Sequence, residues 1–305
     1  MITKKKKLTI ILAVVAVLLT GLILWIAWGN TALELNTYTI KTNKLPKAFN
    51  GYRIAHVSDL HNAKMGKDNK KLLSMLRSAK PDIIAITGDI IDSRNTDIEI
   101  ALKFAEEAVK IAPCYYVTGN HEARIDKYDK LLKGLENKGV VLLDNESIIL
   151  KKNNESITLI GVRDPSFQEE YLHGDEKDLV KSVMKDLISQ EDKYTVVLSH
   201  RPEMFDIYAS NKADLVLSGH AHGGQLRLPF VGGFVAPGQG FFPKYDAGLY
   251  TKDNTNMIVS RGIGNSIIPF RVNNRPEVIL IELHCKSKKL NFKRALFLGI
   301  NRLKV

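Results

Sequence analysis

The stretch Ala213-Asp-Leu-Val-Leu-Ser-Gly-His220-Ala-His222 is a short run of mostly aliphatic residues that ends in two histidines. A continuous apolar run of this length is typical of a strand in a largely parallel sheet, because both faces of such a strand are covered. The two histidines are two residues apart, and alternate side chains of an extended chain point the same way. This stretch therefore predicts a buried strand whose carboxyl end presents two imidazoles to one site.

Four other runs end in a similar way, at residues 53–61, 82–89, 114–121 and 194–200. Each combines a buried-strand pattern with an Asp, Asn or His at its end, beside a small Ser, Thr or Gly. Open α/β sheets bind ligands beyond the carboxyl ends of their strands. We therefore expect the five strand ends to lie side by side and to form one site.

The side chains at these ends are carboxylate, amide and imidazole donors, which suit divalent ions such as Mn²⁺, Fe²⁺ or Zn²⁺. They are Asp59, His61, Asp89, Asn120, His200, His220 and His222. Seven ligands exceed what one tetrahedral zinc needs, whereas two ions about 3.5–4 Å apart would use all of them. Such a pair needs a bridging carboxylate, and Asp89 at the second strand end is the natural choice. A lone Asp or His at a strand end is commonly a cap, but five such ends together favour a dinuclear site.

The rest of the chain alternates strand-like runs with helical patterns. Apolar residues recur at three- and four-residue intervals in 70–79, 98–111, 128–138 and 178–190, which predicts helices. This alternation indicates an α/β domain with largely parallel strands. A further set of runs at 140–143, 157–162, 257–260 and 278–283 alternates less regularly with helices, and we expect it to form a second sheet against the first.

The N-terminus predicts a membrane anchor. Residues 8–28 carry no charge, and these 21 residues are long enough to cross about 30 Å of hydrocarbon as a helix. Four lysines precede the segment, Trp25 and Trp28 lie at its far end, and Glu34 is the first charge beyond it. The positive-inside rule then places residues 1–7 in the cytoplasm and the rest outside, with 29–50 as a connector and lead-in strand. A cleavable signal peptide is the alternative, although Ala27-Trp28-Gly29 is a poor cleavage site.

The formal net charge of +11 comes from the two ends of the chain. Lys4, Lys5, Lys6 and Lys7 supply four positive charges, and residues 286–305 supply seven with no acid, so residues 8–285 are balanced. This distribution suits an anionic membrane or wall surface better than a nucleic-acid groove. The basic tail at 286–305 reads either as an amphipathic interfacial helix or as a segment packed on its own domain. The two cysteines, Cys114 and Cys285, show no metal-type spacing. They are either two buried thiols or the two halves of a disulfide.

The motifs Asp59-x-His61, Gly88-Asp89-x-x-Asp92, Gly119-Asn120-His121-Glu122, His200 and Gly219-His220-x-His222 together resemble the ordered motif set of the calcineurin-like metallophosphoesterases. The resemblance covers about residues 52–283, and we expect the metallophosphoesterase domain at 51–285. Three further stretches, at 223–229, 242–250 and 260–264, resemble a narrower branch of bacterial membrane- or wall-associated phosphodiesterases, of the YkuE and YaeI type. The resemblance implies a four-layer α-β-β-α sandwich, in which two mixed sheets pack face to face between helices.

The resemblance also implies roles for the site residues. Asp59, His61 and His222 would hold one metal ion, Asn120, His200 and His220 would hold the other, and Asp89 would bridge them. A hydroxide shared by the two ions would attack phosphorus in line. His121 would stabilise or protonate the departing oxygen, and Asp92 would orient its ring, although a helix N-cap is the alternative for Asp92. Ser93 precedes Arg94 and Glu122 follows His121, two departures that weaken the case for a phosphoprotein substrate.

The expected function is a membrane-anchored phosphoesterase that hydrolyses a phosphodiester. The aromatic residues of the loop 223–256 either form an apolar lip beside the metals or pack onto the sheets. With the membrane anchor, they favour a phospholipid-like or envelope substrate, while the branch resemblance keeps small nucleotidic phosphodiesters open. The alternatives are a pyrophosphohydrolase acting on a nucleotide-linked lipid and a metal-dependent envelope-binding module without turnover.

Overall fold

The computed structural model describes residues 3–167, 175–188, 193–265 and 268–286, and the strand-like runs form two six-stranded sheets within them. The strands are β1 Glu34–Thr42, β2 Tyr52–Val57, β3 Ile83–Thr87, β4 Cys114–Val117, β5 Val141–Leu142, β6 Glu146–Lys152, β7 Glu155–Val162, β8 Thr195–Ser199, β9 Leu215–Ser218, β10 Arg227–Leu228, β11 Gly232–Gly233, β12 Val235–Ala236, β13 Gly240–Phe241, β14 Gly248–Lys252, β15 Thr255–Val259 and β16 Glu277–Cys285.

The first sheet has the order β1-β16-β2-β3-β4-β5, and all its pairs are parallel except β16 with β2. The second sheet has the order β14-β15-β9-β8-β7-β6, with antiparallel pairs only at its two edges. Two further two-stranded pairs, β10 with β11 and β12 with β13, lie outside these sheets.

The helices are α1 Lys4–Thr31, α2 Lys70–Ala79, α3 Ile98–Ala108, α4 Tyr128–Asn137, α5 Glu176–Leu187 and α6 Phe205–Ser210. The four helices predicted from periodicity are all present. Wherever the predicted and the observed ends both lie in the described residues, they differ by at most three residues. α2 shows why the pattern works, since Leu72, Leu73 and Leu76 form its buried face and recur at the three- and four-residue spacing of a helix.

Three apolar clusters separate four layers. The first lies between the first sheet and helices α2, α3 and α4, and it includes Leu76, Phe104 and Leu135. The second lies between the two sheets, where Ile54 and Ile281 face Leu198 and Leu217. The third lies between the second sheet and helices α5 and α6. The mixed α/β fold class expected from the sequence, two mixed sheets between helices, is therefore confirmed.

The assignment of strands to sheets was partly wrong. The runs at 140–143 and 278–283 were expected in the second sheet, but β5 and β16 belong to the first, where β16 pairs with β1 and β2. The runs at 157–162 and 257–260 do form strands of the second sheet. An apolar run is compatible with either sheet, because the choice depends on long-range pairing that local periodicity does not encode.

Helix α1 projects from the domain, and none of its residues is buried. Its length and apolar composition would allow it to cross a membrane. The basic tail lies almost wholly outside the described residues, so its two interpretations stay open. Cys114 and Cys285 are both free thiols in this structure, and Cys114 is buried.

Candidate metal centre

The candidate ligands come from both sheets. Asp59 and His61 follow β2, Asp89 follows β3 and Asn120 follows β4 in the first sheet. His200 follows β8, and His220 with His222 follows β9, in the second sheet. The sequence predicted that the five strand ends converge, and they do, but they meet across two facing sheets rather than along one.

The ligand atoms fall into two clusters that share one carboxylate. Asp59, His61, Asp89 and His222 form the first cluster, and Asp89, His200 and His220 form the second, with the candidate donor atoms of each cluster within 4.8 Å of one another. Asp89 Oδ2 lies 3.4 Å from His61 Nε2 and 3.2 Å from His200 Nε2. The carboxylate of Asp89 therefore lies between the two groups of donors.

Pairs of imidazole nitrogens face each other within these clusters. His61 Nε2 lies 3.2 Å from His222 Nε2, and His220 Nδ1 lies 3.1 Å from His200 Nε2. The opposite nitrogen of His200 is fixed, because Nδ1 lies 2.7 Å from the carbonyl oxygen of Thr87 and can only donate to it. His200 therefore turns Nε2 towards the site, as second-shell hydrogen bonds do for metal-binding histidines.

Asn120 supplies a further donor. Its side-chain oxygen is buried and has no hydrogen-bond partner among the described residues. A buried amide oxygen without a donor normally costs about 1–3 kcal/mol. A cation would satisfy this oxygen, and the neighbouring residue His121 is tied to the site by an N–H that donates to Asp89 Oδ1 at 2.8 Å.

The backbone at the ligands is strained. Asp59, His61, Asp89, His220 and His222 all have positive φ angles, between 44° and 65°. For residues other than glycine, this left-handed conformation costs on the order of 1–3 kcal/mol and is concentrated at functional sites. Five strained residues among seven candidate ligands indicate that the fold holds these side chains in place against local preference.

Two glycines allow the ligand loops to approach each other. A Cβ atom on Gly88 would lie 2.6 Å from the backbone nitrogen of Gly119 and 2.7 Å from Nδ1 of His200. A Cβ atom on Gly219 would collide with the side chains of Ser58 and Asp59. The glycines that precede Asp89 and His220 in the sequence motifs are therefore required by close packing between the loops, and Gly88 also has φ 82°.

Buried charge sets the protonation of the site. Burial lowers the pKa of His61 to about 3 and that of His220 and His222 well below the usual value. Burial also opposes a charge on His200, but the carboxylates of Asp89 and Asp59 outweigh it and raise the pKa of His200 to about 10. Three imidazoles are thus neutral with free lone pairs, whereas His200 carries a proton that a cation would displace.

His121 lies at the edge of the two clusters. Its ring packs edge-on against His61 with the centroids 4.4 Å apart, and its Nε2 lies 4.0 Å from Asp89 Oδ2. The backbone N–H of Ser93 donates to Nδ1 at 3.0 Å. Since Nδ1 accepts this bond, the neutral ring carries its proton on Nε2, the nitrogen nearer the candidate ligands.

Asp92 is close to His121 without a hydrogen bond to it. Its Oδ1 lies 3.6 Å from Nδ1 of His121, and its carboxylate instead accepts three hydrogen bonds from Arg94. The N-cap of α3 is Asp97, not Asp92. The helix-cap alternative is therefore wrong, and the expected orienting role of Asp92 stays a prediction.

Sequence reasoning gave no role to Glu122, which lies fully buried beneath the ligands. Its Oε2 accepts the backbone N–H of Asp89 at 2.9 Å and that of Gly119 at 2.7 Å, and its Oε1 accepts the N–H of Ile91 at 3.3 Å. Glu122 therefore joins the loop that carries Asp89 to the loop that carries Asn120. An acidic residue beside an Asn-His pair was the only local signal for this role.

Arg201 is a second residue that sequence reasoning missed. Its guanidinium makes two hydrogen bonds to the buried carboxylate of Asp164, at 2.6 and 3.0 Å. Its Nη1 lies 3.5 Å from Nε2 of His220, the nitrogen that does not face His200. The ion pair of Arg201 with Asp164 therefore holds the guanidinium beside His220. In the sequence, the only indication of this role is that Arg201 directly follows His200.

A sequence model of the calcineurin-like phosphoesterase family matches residues 52–224, more than half of the chain. The chain belongs to the calcineurin-like phosphoesterase family. The matched segment contains all seven candidate ligands together with His121 and Asp92. The protein is therefore a metal-dependent phosphoric ester hydrolase by family, as the motifs predicted.

Curated relatives agree over most of the chain. The uncharacterized metallophosphoesterase YkoQ of Bacillus subtilis is 28% identical over 81% of this chain and 88% of its own length. The phosphodiesterase YaeI of Escherichia coli is 28% identical over 76% of this chain and 82% of its own length. A zebrafish (Danio rerio) transmembrane protein with a metallophosphoesterase domain is 27% identical over 80% of this chain, which spans 56% of that protein.

The residues at the centre fit the metal dependence of this family. The donors are carboxylate oxygens, an amide oxygen and imidazole nitrogens, the mixture that suits borderline divalent ions. The unpartnered oxygen of Asn120 would be satisfied by a positive charge, and the close approach of His61 Nε2 and His222 Nε2 offers a cation two imidazole nitrogens. His/Asp clusters suited to a metal site are therefore present in this chain.

Proposed function

We propose that this calcineurin-like phosphoesterase is a membrane-anchored phosphodiesterase with a dinuclear metal centre. The observation that carries the proposal is that Asp89 belongs to both ligand clusters, the arrangement that one bridging carboxylate requires. Asp59, His61 and His222 would hold one ion. Asn120, His200 and His220 would hold the other.

Two bound ions would supply Lewis acidity for the phosphoryl oxygens and for the attacking water. The side chains of this protein would position the ligands and donate hydrogen bonds around that centre. His200 holds its ligand nitrogen inward through the Thr87 carbonyl, and Glu122 holds the Asp89 and Asn120 loops together. We assign His121 as the group whose Nε2–H donates a hydrogen bond to the departing oxygen and stabilises its developing charge, since the Ser93 N–H occupies Nδ1.

Helix α1 is the proposed membrane anchor, with residues 1–7 in the cytoplasm and the catalytic domain outside. No residue of α1 is buried against the domain, so most of its apolar side chains are exposed. A bilayer would place these apolar side chains in hydrocarbon and remove them from water. The transmembrane zebrafish relative supports an anchored arrangement, and the four lysines at the start of the helix support the orientation.

A phosphodiester in a lipid or other envelope molecule is the proposed substrate. The phosphodiesterase name of YaeI supports the reaction class, and the proximity of α1 supports a substrate at the membrane. Mn²⁺, Fe²⁺ and Zn²⁺ are the proposed ions, because the donor set combines oxygen and imidazole ligands.

The test is metal analysis of the full-length protein in detergent, followed by assays with bis-p-nitrophenyl phosphate and with p-nitrophenyl phosphate. We expect about two ions per chain, from the two-ion chemistry that the ligand set fits, and faster hydrolysis of the diester. Asp89→Asn serves as the inactive control. One ion per chain, or a preference for the monoester, would contradict the proposal.

A further inference from the structure

The segment from Leu228 to Phe242 contains no charged residue and exposes most of its large apolar side chains. Phe230 is fully exposed, and Phe241 and Phe242 are 68% and 59% exposed. Leu228 and Val231 are exposed as well. We call these five side chains the aromatic surface. Single exposed apolar residues are ordinary, but five of them within one uncharged stretch point to an interaction site.

The aromatic surface is built from two short hairpins. The pair β10–β11 carries Leu228, Phe230 and Val231 at its turn, and the pair β12–β13 leads into Phe241 and Phe242. Phe234 supports the second hairpin from beneath, with ring centroids 5.3 Å from Phe241 and 5.7 Å from Phe242. The rings are therefore held outward on a defined support.

Other aromatic residues of the same loop do pack inward. Tyr245 is buried, with its ring edge-on to Phe205 at 5.5 Å, and Tyr250 packs on Tyr245 at 5.1 Å. The loop thus separates its rings into an inward set and an outward set. The outward set stays largely exposed to water, so a partner that covered these side chains would gain the free energy of burying them.

The aromatic surface is continuous with the end of helix α1. Leu226 forms a β-bridge with Val272, and the N–H of Arg227 donates to the Val272 carbonyl at 3.0 Å. The adjacent Arg271 exchanges two hydrogen bonds with Asn30 in the last turn of α1, at 2.8 and 2.9 Å. The hairpin and the anchor are therefore joined through two consecutive residues, Arg271 and Val272.

The end of α1 carries the tryptophans that mark a membrane interface. Trp25 and Trp28 lie beside residues 273–275 in one pocket, and Arg275 stacks on Trp28 at 4.9 Å. Tryptophan rings favour the headgroup level of a bilayer. The domain segment that holds the hairpin thus lies at the level where α1 would leave the hydrocarbon.

The same hairpins connect to the metal centre. The N–H of Phe234 donates to the carbonyl of Gly224 at 3.1 Å, and Gly224 is two residues beyond His222. A surface that contacts lipid at the aromatic side chains would therefore hold the ligand loop close to the bilayer.

We propose that the aromatic surface docks into the outer leaflet of the bilayer beside α1 and orients the metal centre towards lipid phosphodiesters. The proposal rests on the membrane anchoring in the proposed function. Docking would bury five apolar side chains, and the uncharged run 228–242 avoids the cost of desolvating a charge.

The experiment measures the depth of a nitroxide spin label at position 230 in the full-length protein, reconstituted in phosphatidylcholine–phosphatidylglycerol vesicles. Phe230→Cys is made in a Cys285→Ser background. The remaining thiol, Cys114, is buried and its pKa is raised to about 12 by burial, so it does not label. Ile149→Cys is the matched control, because Ile149 is an exposed apolar residue on β6, at the sheet edge opposite β14.

We expect oxygen to reach the label at 230 several-fold more readily, relative to a water-soluble nickel complex, than it reaches the label at 149. A label at 230 that is as accessible to nickel as the label at 149 would overturn the docking proposal. Spin–spin broadening that disappears on dilution with unlabelled protein would also overturn it, in favour of contact with a second copy. Flotation of the protein with the vesicles reports α1 insertion separately, and Phe241→Cys repeats the measurement on the second hairpin.

Discussion

Replacing Glu122 with Ala should release the loops that carry two of the candidate ligands. Glu122 is fully buried and accepts three backbone N–H groups, from Asp89, Gly119 and Ile91. Leaving a buried donor unsatisfied costs about 1–3 kcal/mol, so three of them cost at least about 3 kcal/mol. For a domain of this size, each kcal/mol lowers the melting temperature by about 2–4 °C, which gives roughly 6–12 °C.

Glu122→Gln separates hydrogen bonding from charge. The amide oxygen of Gln can replace Oε2, which accepts the two shorter bonds, so only the 3.3 Å bond from Ile91 is lost. Burial and the nearby Asp89 carboxylate raise the pKa of Glu122 to about 8, and the neutral side chain is therefore the better mimic. We expect Glu122→Gln to melt close to the wild type and to retain its metal.

The assay is thermal unfolding of the full-length protein in detergent, with a chelator present so that metal binding does not add to stability, together with metal analysis without the chelator. Glu136→Ala, an exposed position on α4, is the control for the loss of an acidic side chain. If Glu122→Ala melted with the control and kept its metal, the three hydrogen bonds would not hold the ligand loops. If Glu122→Gln were as unstable as Glu122→Ala, the charge rather than hydrogen-bond acceptance would be the important property.

Asp89→Asn should remove both ions and activity together, because both clusters share this carboxylate; two ions per chain with near-normal turnover would show that Asp89 does not bridge. His121→Ala should lower kcat by about 10²–10³-fold, the usual cost of losing a hydrogen-bond donor to developing charge, while the metal content stays unchanged; loss of metal would make His121 a ligand. Metal binding at pH 7 should release a proton from His200, whose pKa is raised to about 10 by the buried carboxylates. Affinity should therefore fall as the pH is lowered, more steeply below about 6, where Asp59 is protonated as well. Calorimetry in buffers of different ionisation enthalpy measures this release, and a heat independent of the buffer would argue against it.

The sequence predicted the candidate ligands because their chemistry is local. A carboxylate or imidazole at the end of an apolar strand is visible within ten residues, and the two-residue spacing of His220 and His222 follows from the extended backbone. Helices such as α2 were predicted for a similar reason, since the spacing of buried leucines repeats every turn. The apolar length of α1 is likewise a property of consecutive residues.

The tertiary structure decided which sheet each strand joins. β5 and β16 entered the first sheet although their runs looked like members of the second, because pairing partners lie more than a hundred residues away for β16. The ligand-bearing strands divide between two sheets for the same reason. The apolar residues of a strand predict that it is buried, but its pairing partners depend on how the whole chain packs.

The supporting residues of the site also required the folded chain. Glu122 binds backbone donors on two loops, the hydrogen-bond partner of His121 Nδ1 is the Ser93 N–H rather than the Asp92 carboxylate, and Arg201 lies behind His220. Each of these contacts depends on where loops from different strands meet. The loop rings show the same division: the sequence places Phe230 and Tyr245 in one aromatic stretch, and only the hairpin geometry turns one outward and buries the other.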